Sequence, residues 1–246
     1  MAGIKAICGV QGDKAVIYQW LNQEGYLYPG AVHPYGMKMM NEYAFNMLKP
    51  LLEAQPYVQE FKQWQGEKAH VDLDMHRQVK NHMPYGNIVT WQAMVYAEMT
   101  PRFWEPWLEI TLDLDLPVPM PTIGKIVINR TQRYHNQWID YFFLKEYRDQ
   151  LYFVGTKEEH EIFQTDWGIE LPYEPVLNFR HLAMILKTCK LFIGNQSMCF
   201  AIAEGLKVPR ILEVCDQAPN VIPAGEGGYY TRNPDTFKYL VEKLLK

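Results

Sequence analysis

The chain alternates short apolar runs with stretches of helical periodicity, and this rhythm is most regular in its second half. Lys125-Ile-Val-Ile-Asn129 predicts a strand, Gln137 to Tyr147 a helix, and Leu151-Tyr-Phe-Val154 a second strand. Thr156 then opens a helix with Glu159 placed to complete a capping box. Phe179 to Cys189 brings Leu182, Ile185, Leu186 and Cys189 onto one helical face, Leu191 to Ile193 is a buried strand, and a helix starts at Ser197. Arg210 to Val214 is a further strand, and Asn233-Pro234 begins a last helix whose stripe is Phe237, Leu240, Val241, Leu244 and Leu245. Strands and helices at this spacing imply an α/β architecture with a doubly wound parallel sheet.

The first half is less regular. Ile4 to Cys8 reads as a strand, Gly9 to Gly12 as a turn, and Asp13 as the start of a helix reaching about Asn22. Met37 to Leu52 reads as a helix interrupted at Pro50, Ala69 to Leu73 as a strand, and Asn87 to Met99 as a helix. Asp113 to Pro121 carries three prolines in five residues, the mark of an extended connector. The boundary between two units, 1–120 and 121–246, is placed there.

At 246 residues and 48% apolar content, the chain can build a substantial core. No stretch has the length of an apolar membrane span and the first residues lack the apolar region of a signal peptide, which predicts a cytoplasmic protein. Cys8, Cys189, Cys199 and Cys215 lack metal-ligand spacing, so reduced core thiols are expected. A net charge of −4 without a basic block gives no global footprint for nucleic acid.

Ligands of parallel sheets sit at the carboxyl ends of the strands. Those ends here hold Asn129-Arg130-Thr131, Gly155-Thr156 and Gly194-Asn195-Gln196-Ser197, with Glu213 closing the strand after. Ser197 is positioned to cap a helix whose free amides face the turn, a natural cradle for a diphosphate. Many such units bind nothing, and both readings stand at this point. Asp72-Leu73-Asp74 and Asp113-Leu114-Asp115 each match a cation-binding pattern, and their duplication marks them as structural or solvated. His33, His76, His82, His135 and His181 show no metal spacing. Glu204 is expected to meet a neighbouring helix. Trp91, Tyr96, Phe103, Trp104 and Trp107 read first as packing and second as an aromatic platform.

Lys125-Ile-Val-Ile-Asn-Arg-Thr131, Phe153-Val-Gly-Thr156, Leu191 to Ser197 and Ala201 to Pro209 resemble the ADP-heptose:lipopolysaccharide heptosyltransferase family, in a compact bacterial or phage-type form. The larger members carry an acid and a histidine around the turn where this chain has Asn195, Gln196, Ser197 and Phe200. The resemblance implies a GT-B fold, two Rossmann-like domains facing a cleft, the amino-terminal one small and irregular. It implies an inverting, metal-independent glycosyltransferase without a cofactor, moving a sugar from a nucleotide-sugar donor to a hydroxyl acceptor, a glycan or a modified DNA base. Gly12-Asp13 matches a family pair whose aspartate is the acceptor-side base, although Asp13 also fits a plain helix cap. Arg130 would meet the leaving diphosphate, and Glu213 the ribose. The alternatives are a catalytically silent nucleotide-binding protein and, ranked below it, a sugar-nucleotide epimerase. The oligomeric state is left open.

Overall fold

The structure, a computed structural model, describes residues 1–25, 38–78, 87–96, 101–112, 122–219 and 221–246. Its elements are α1 (Ala2–Gln11), β1 (Ala15–Gln19), α2 (Glu42–Glu53), β2 (Val58–Gln63), α3 (Ile88–Val95), β3 (Ile126–Asn129), β4 (Leu151–Phe153), α4 (Lys157–Trp167), α5 (Phe179–Thr188), β5 (Leu191–Asn195), α6 (Met198–Leu206), β6 (Arg210–Glu213), β7 (Gly228–Thr231) and α7 (Pro234–Leu245). Five strands form a sheet in the order β4-β3-β5-β6-β7, every neighbour pair parallel. The α/β class and the parallel sheet are as the alternation predicts.

Period-two burial divides this sheet into two faces. Val127, Phe192 and Leu212 point to one side, where α5 and α6 cover them. Ile126, Ile128, Leu191, Ile193 and Ile211 point to the other, against Phe163 of α4 and Phe237, Leu240 and Val241 of α7. The helix starts follow their caps. Asn178, Ser197 and Asn233 each accept a hydrogen bond from the amide three residues on, and Thr156 with Glu159 forms the full capping box.

The first half corrects the sequence reading in order as well as detail. Residues 2–11 are a helix, ended by Gly12 in the left-handed conformation at φ 75°, and the strand comes after it, pairing in parallel with β2. A short apolar run such as Ile4 to Cys8 suits either element. The Ala15-Val-Ile-Tyr run has a parallel partner in Val58 to Gln63, and that tertiary pairing decides the matter. Ala69 to Leu73 is not a strand; a 3₁₀ turn follows over Leu73–Gln78. Pro50 lies inside α2 without ending it. The expected helix from Gln137 begins only at Phe142 and is 3₁₀, because the side chains of Asn136 and Asp140 accept from Trp138 N and Phe142 N and hold the chain in turns. The expected connector and boundary at 113–121, with Asp113 and Asp115, and His33 and His82, lie outside the described residues.

The two halves touch directly. Leu51 of α2 and Leu108 belong to the same buried cluster as α5 and α6. Residues 101–112 act as a strap: Trp107 N and Leu108 N both donate to Gly205 O at 3.0 Å, while Gln55 accepts from Glu109 N at 2.8 Å and Lys5 reaches Pro106 O at 3.1 Å. A Cβ on Gly205 would lie 2.7 Å from Leu108, so α6 needs glycine where the strap crosses it.

Burial of thiols and phenols makes the fold sensitive to alkali. It pushes Cys189 up to about 12 and Cys199 further, and raises Tyr57 and Tyr141. These groups stay neutral in the fold but ionise when unfolded, so the stability they contribute is complete below pH ~9 and lost as pH rises toward their folded values. Lys207, lowered to about 8 by burial, acts with the opposite sign between its folded and unfolded values. Each thiol or lysine changes stability by about 1.4 kcal/mol per pH unit once it titrates, the phenols enter only above pH ~10, and the two thiols outweigh the one lysine. Stability should therefore fall by roughly 2 kcal/mol between pH 9 and 10.5. Urea midpoints across that range check this, and a Cys189→Ala/Cys199→Ala variant should flatten or invert the slope.

Candidate functional site

The carboxyl ends of β3, β4 and β5 converge on one rim, and α4 and α6 both start there. The Ser197 hydroxyl accepts from Phe200 N at 3.1 Å, which fixes the first turn of α6. Helix geometry leaves the amides of that turn without intrahelical acceptors, and the helix dipole adds positive potential in the same place. Gly155, Thr156 and Ser197 are half-buried and Met198 is exposed, so the rim is open to solvent.

Asn129 is the most distinctive residue of the rim. It ends β3, is 1% exposed, and donates from Nδ2 to Val154 O at 2.9 Å, while its Oδ1 is buried without a hydrogen-bond partner. A buried acceptor left unmade costs about 1–3 kcal/mol, which a ligand donor would recover. The backbone around it is tightly fitted. A Cβ on Gly194 would stand 2.7 Å from Asn129 O, and one on Gly155, whose φ is +139°, would stand 2.6 Å from Asn129 Nδ2. Thr156 is engaged in its capping box, its hydroxyl accepting from Glu159 N and its amide donating to the Glu159 carboxylate. Burial raises the Glu159 carboxyl above its ordinary range, and the hydrogen bonds with Thr156, then the charge of Arg133, pull it back in part.

Asn195 is engaged within the chain. Its Oδ1 accepts from Thr131 N at 2.9 Å, and its Nδ2 donates to Thr131 O and Arg133 O. The side chain is a pin that fixes the loop after β3, and Thr131 is engaged with it. Gln196 is buried beside it.

Arg130 and Glu213 face each other. Arg130 Nε and Nη2 reach the two Glu213 oxygens at 2.9 and 3.1 Å, and Nη2 also donates to Asn136 O. Glu213 has no exposure and accepts further from the Tyr141 hydroxyl at 2.7 Å and from Asn136 N. The guanidinium lies over Tyr141 and Trp167 at 5.3 and 5.4 Å. Burial works against the charge on Arg130, and Glu213 more than offsets it, holding its pKa above the ordinary value. The fork that suits a diphosphate is occupied by a carboxylate of the same chain.

Gly12 and Asp13 sit elsewhere. Gly12 is the C-cap of α1, its amide bonded to Cys8 O at 2.8 Å, and Asp13 is exposed at the amino end of β1. This reverses the strand–helix order on which a base role for Asp13 rests. Asp72 accepts from Asp74 N at 2.9 Å in a local turn, and Glu204 pairs with Lys207 and Arg210. His181, at the start of α5, accepts at Nδ1 from Leu177 N at 3.2 Å and leaves Nε2 buried without a partner. Among the described residues no group of three His, Cys, Asp or Glu side chains is arranged for a metal, and no helix is long and apolar enough to cross a membrane.

Arg133 went unmarked in the sequence. It lies on the loop pinned by Asn195, within electrostatic reach of Glu159, its guanidinium 5.3 Å from the Tyr134 ring centroid. An arginine four residues past a strand end carries no sequence signal of its own; the pin at its backbone carbonyl holds this loop at the rim. The aromatic set separates. Trp107 packs on the main core under Lys207, Phe103 meets Trp104 edge-on at 5.3 Å, and Tyr96 bonds the Asp72 backbone.

No family model and no curated protein matches the chain. Solved structures similar to it include two glycosyltransferases. One is a glycosyl transferase family 9 protein from Veillonella parvula DSM 2008, at 13% identity and a TM-score of 0.43, covering 77% of this chain and 64% of that one. The other is the ADP-heptose lps heptosyltransferase II of E. coli, at 12% identity and a TM-score of 0.40, covering 76% and 70%. The chain spans less than two thirds of the length of the first.

Proposed function

We propose that the chain is a glycosyltransferase that moves a sugar from a nucleotide-sugar donor to a hydroxyl acceptor. The observation that carries this reading is the rim at β3 to β5, where two capped helix starts flank the unmet Asn129 Oδ1 and glycines keep the backbone close. Amides and helix dipoles suit a diphosphate, and Asn129 Oδ1 suits a hydroxyl or amino group of the same ligand. In the narrower form of the proposal, the acceptor oxygen attacks the anomeric carbon as the bond to the diphosphate breaks, with inversion. The acceptor's proton passes to a base, and the charge gathering on the leaving group is met by the helix amides and Arg133 in place of a metal. A GT-B cleft between units 1–120 and 121–246, a cytoplasmic location and a phage-type enzyme acting on a glycan or a modified DNA base belong to that same narrower form.

A silent nucleotide-binding protein is the second reading, favoured by Asp13 lying at the amino end of β1 and by Arg130 and Glu213 being engaged with each other. Two measurements separate them. Thermal melts with nucleoside diphosphates and nucleotide sugars should rise by roughly 5–11 °C at a hundredfold excess over Kd, the equivalent of ~2.7 kcal/mol, with or without magnesium. Absence of any shift removes both readings. Free sugar released from a nucleotide sugar, undiminished in EDTA, supports the transferase; a shift without release leaves the binder.

A further inference from the structure

The face of the β1–β2 pair turned away from the core is a strip of aromatic rings. Ile17 and Phe61 point inward, into a cluster with Leu21, Phe45 and Leu52. By alternation Tyr18, Trp20, Lys62 and Trp64 share the opposite face. Trp20 is 55% exposed, and its ring centroid lies 5.0 Å from that of Trp64 with 44° between the planes. The pair is built rather than incidental. Trp64 N donates to Gln19 O at 2.9 Å, continuing the ladder past the strand ends, and Trp64 Nε1 donates to Glu67 O at 2.8 Å, which locks the indole in place. Lys62 lies 5.3 Å over Tyr18 and pairs with Glu60 at 3.0 Å.

Size and charge select the occupant. Two indole faces offer on the order of 200 Å², against the ~800 Å² per partner that a stable protein interface covers, so the strip suits a small ligand. Lys62 is paired with Glu60 and Glu67 lies at the strip's edge, so these residues offer no cluster of free cations for a polyanion such as nucleic acid. With their centroids 5.0 Å apart the two rings touch each other, so no slot exists between them to grip a flat base and a ligand meets their outer faces and edges. A sugar ring meets these conditions: its axial C–H groups carry slight positive charge and settle on the negative ring faces, while its hydroxyls reach the polar edge at Gln19, Gln65 and Glu67.

We propose that Tyr18, Trp20 and Trp64 form a binding surface for a neutral sugar ring of a glycan. That this glycan is the acceptor rests on the transferase reading; that the strip takes a sugar does not. The test is saturation-transfer NMR and tryptophan fluorescence on the full chain with maltohexaose, cellohexaose and chitohexaose as probes. Ring-proton signals from at least one probe are expected, with affinity reduced tenfold or more in Trp20→Ala and in Trp64→Ala and unchanged in Trp104→Ala. Trp20→Ala, at the more exposed ring, should melt close to the parent, and both strip variants should keep the nucleoside-diphosphate shift measured from their own melting temperatures, which separates failure of this surface from failure of the donor reading. Silence from all three probes, or equal affinity in Trp20→Ala, overturns the proposal. So does binding of a single-stranded oligonucleotide where the hexasaccharides are silent.

Discussion

Glu213→Ala should lower stability by about 3–5 kcal/mol, equivalent to a fall in Tm of roughly 6–20 °C for a chain of this length. Glu213 has no exposure, and four groups depend on its two oxygens: the Arg130 Nε and Nη2, the Tyr141 hydroxyl and Asn136 N. Truncation leaves a guanidinium in an apolar setting between Tyr141 and Trp167 with both of its bonds to Glu213 gone and the one to Asn136 O remaining. Most of the loss is this stranded charge rather than the net worth of the pair. Arg130→Met combined with Glu213→Leu should therefore recover much of the stability that the single variant loses. The measurement is urea unfolding of both variants beside the parent, with nucleoside-diphosphate binding read on the same samples. If the pair is structural, the double variant regains stability and keeps the nucleotide shift. If Arg130 meets the diphosphate, the double variant folds but the shift is gone.

The distinction bears on what a sequence can disclose. Arg130 after a strand and Glu213 at the end of another each have the chemistry of a ligand contact, and separately each reads that way. Their meeting depends on β3 and β6 flanking β5 in the sheet, a neighbour relation that no local pattern encodes. The same holds for Asn195, whose amide faces the loop after β3 because those strands are adjacent. Local signals were legible where the physics is local: the capping box at Thr156, the caps at Ser197 and Asn233, and the strand at Leu191 all follow from residues within a few positions. They failed where tertiary pairing decides. Residues 2–11 and 15–19 exchange helix and strand because β2 supplies a parallel partner to the second run. β7 was missed because Gly228-Tyr-Tyr-Thr231 is strand-like only beside β6, with Arg210 N held by Gly227 O.

Glu204→Ala should be at least as damaging, near the upper end of the ~3–5 kcal/mol expected for breaking a buried ion pair, because this carboxylate balances two cations. Arg210 has no exposure and donates to Glu204, to Val208 O, to Glu226 O and to Ala224 O. Lys207 donates to Glu204, to Phe103 O at 2.6 Å and to Ala224 O at 2.9 Å. Removing the acid strands two positive charges at one point and also frees Ala224 N. The expected consequences separate in space. Lys207 ties the strap at Phe103, and the strap carries the contacts that join the first half to α6. Hydrogen exchange in Glu204→Gln, which keeps the shape and loses the charge, should accelerate first across 101–112 and 221–228, while Leu191 to Asn195 at the centre of the sheet stays protected. A uniform acceleration would mean that the strap is not a separate unit and that the two halves open only with global unfolding. With local opening, a nucleotide shift that survives in Glu204→Gln would place the donor site wholly on the five-stranded sheet, independent of how the first half is held against it.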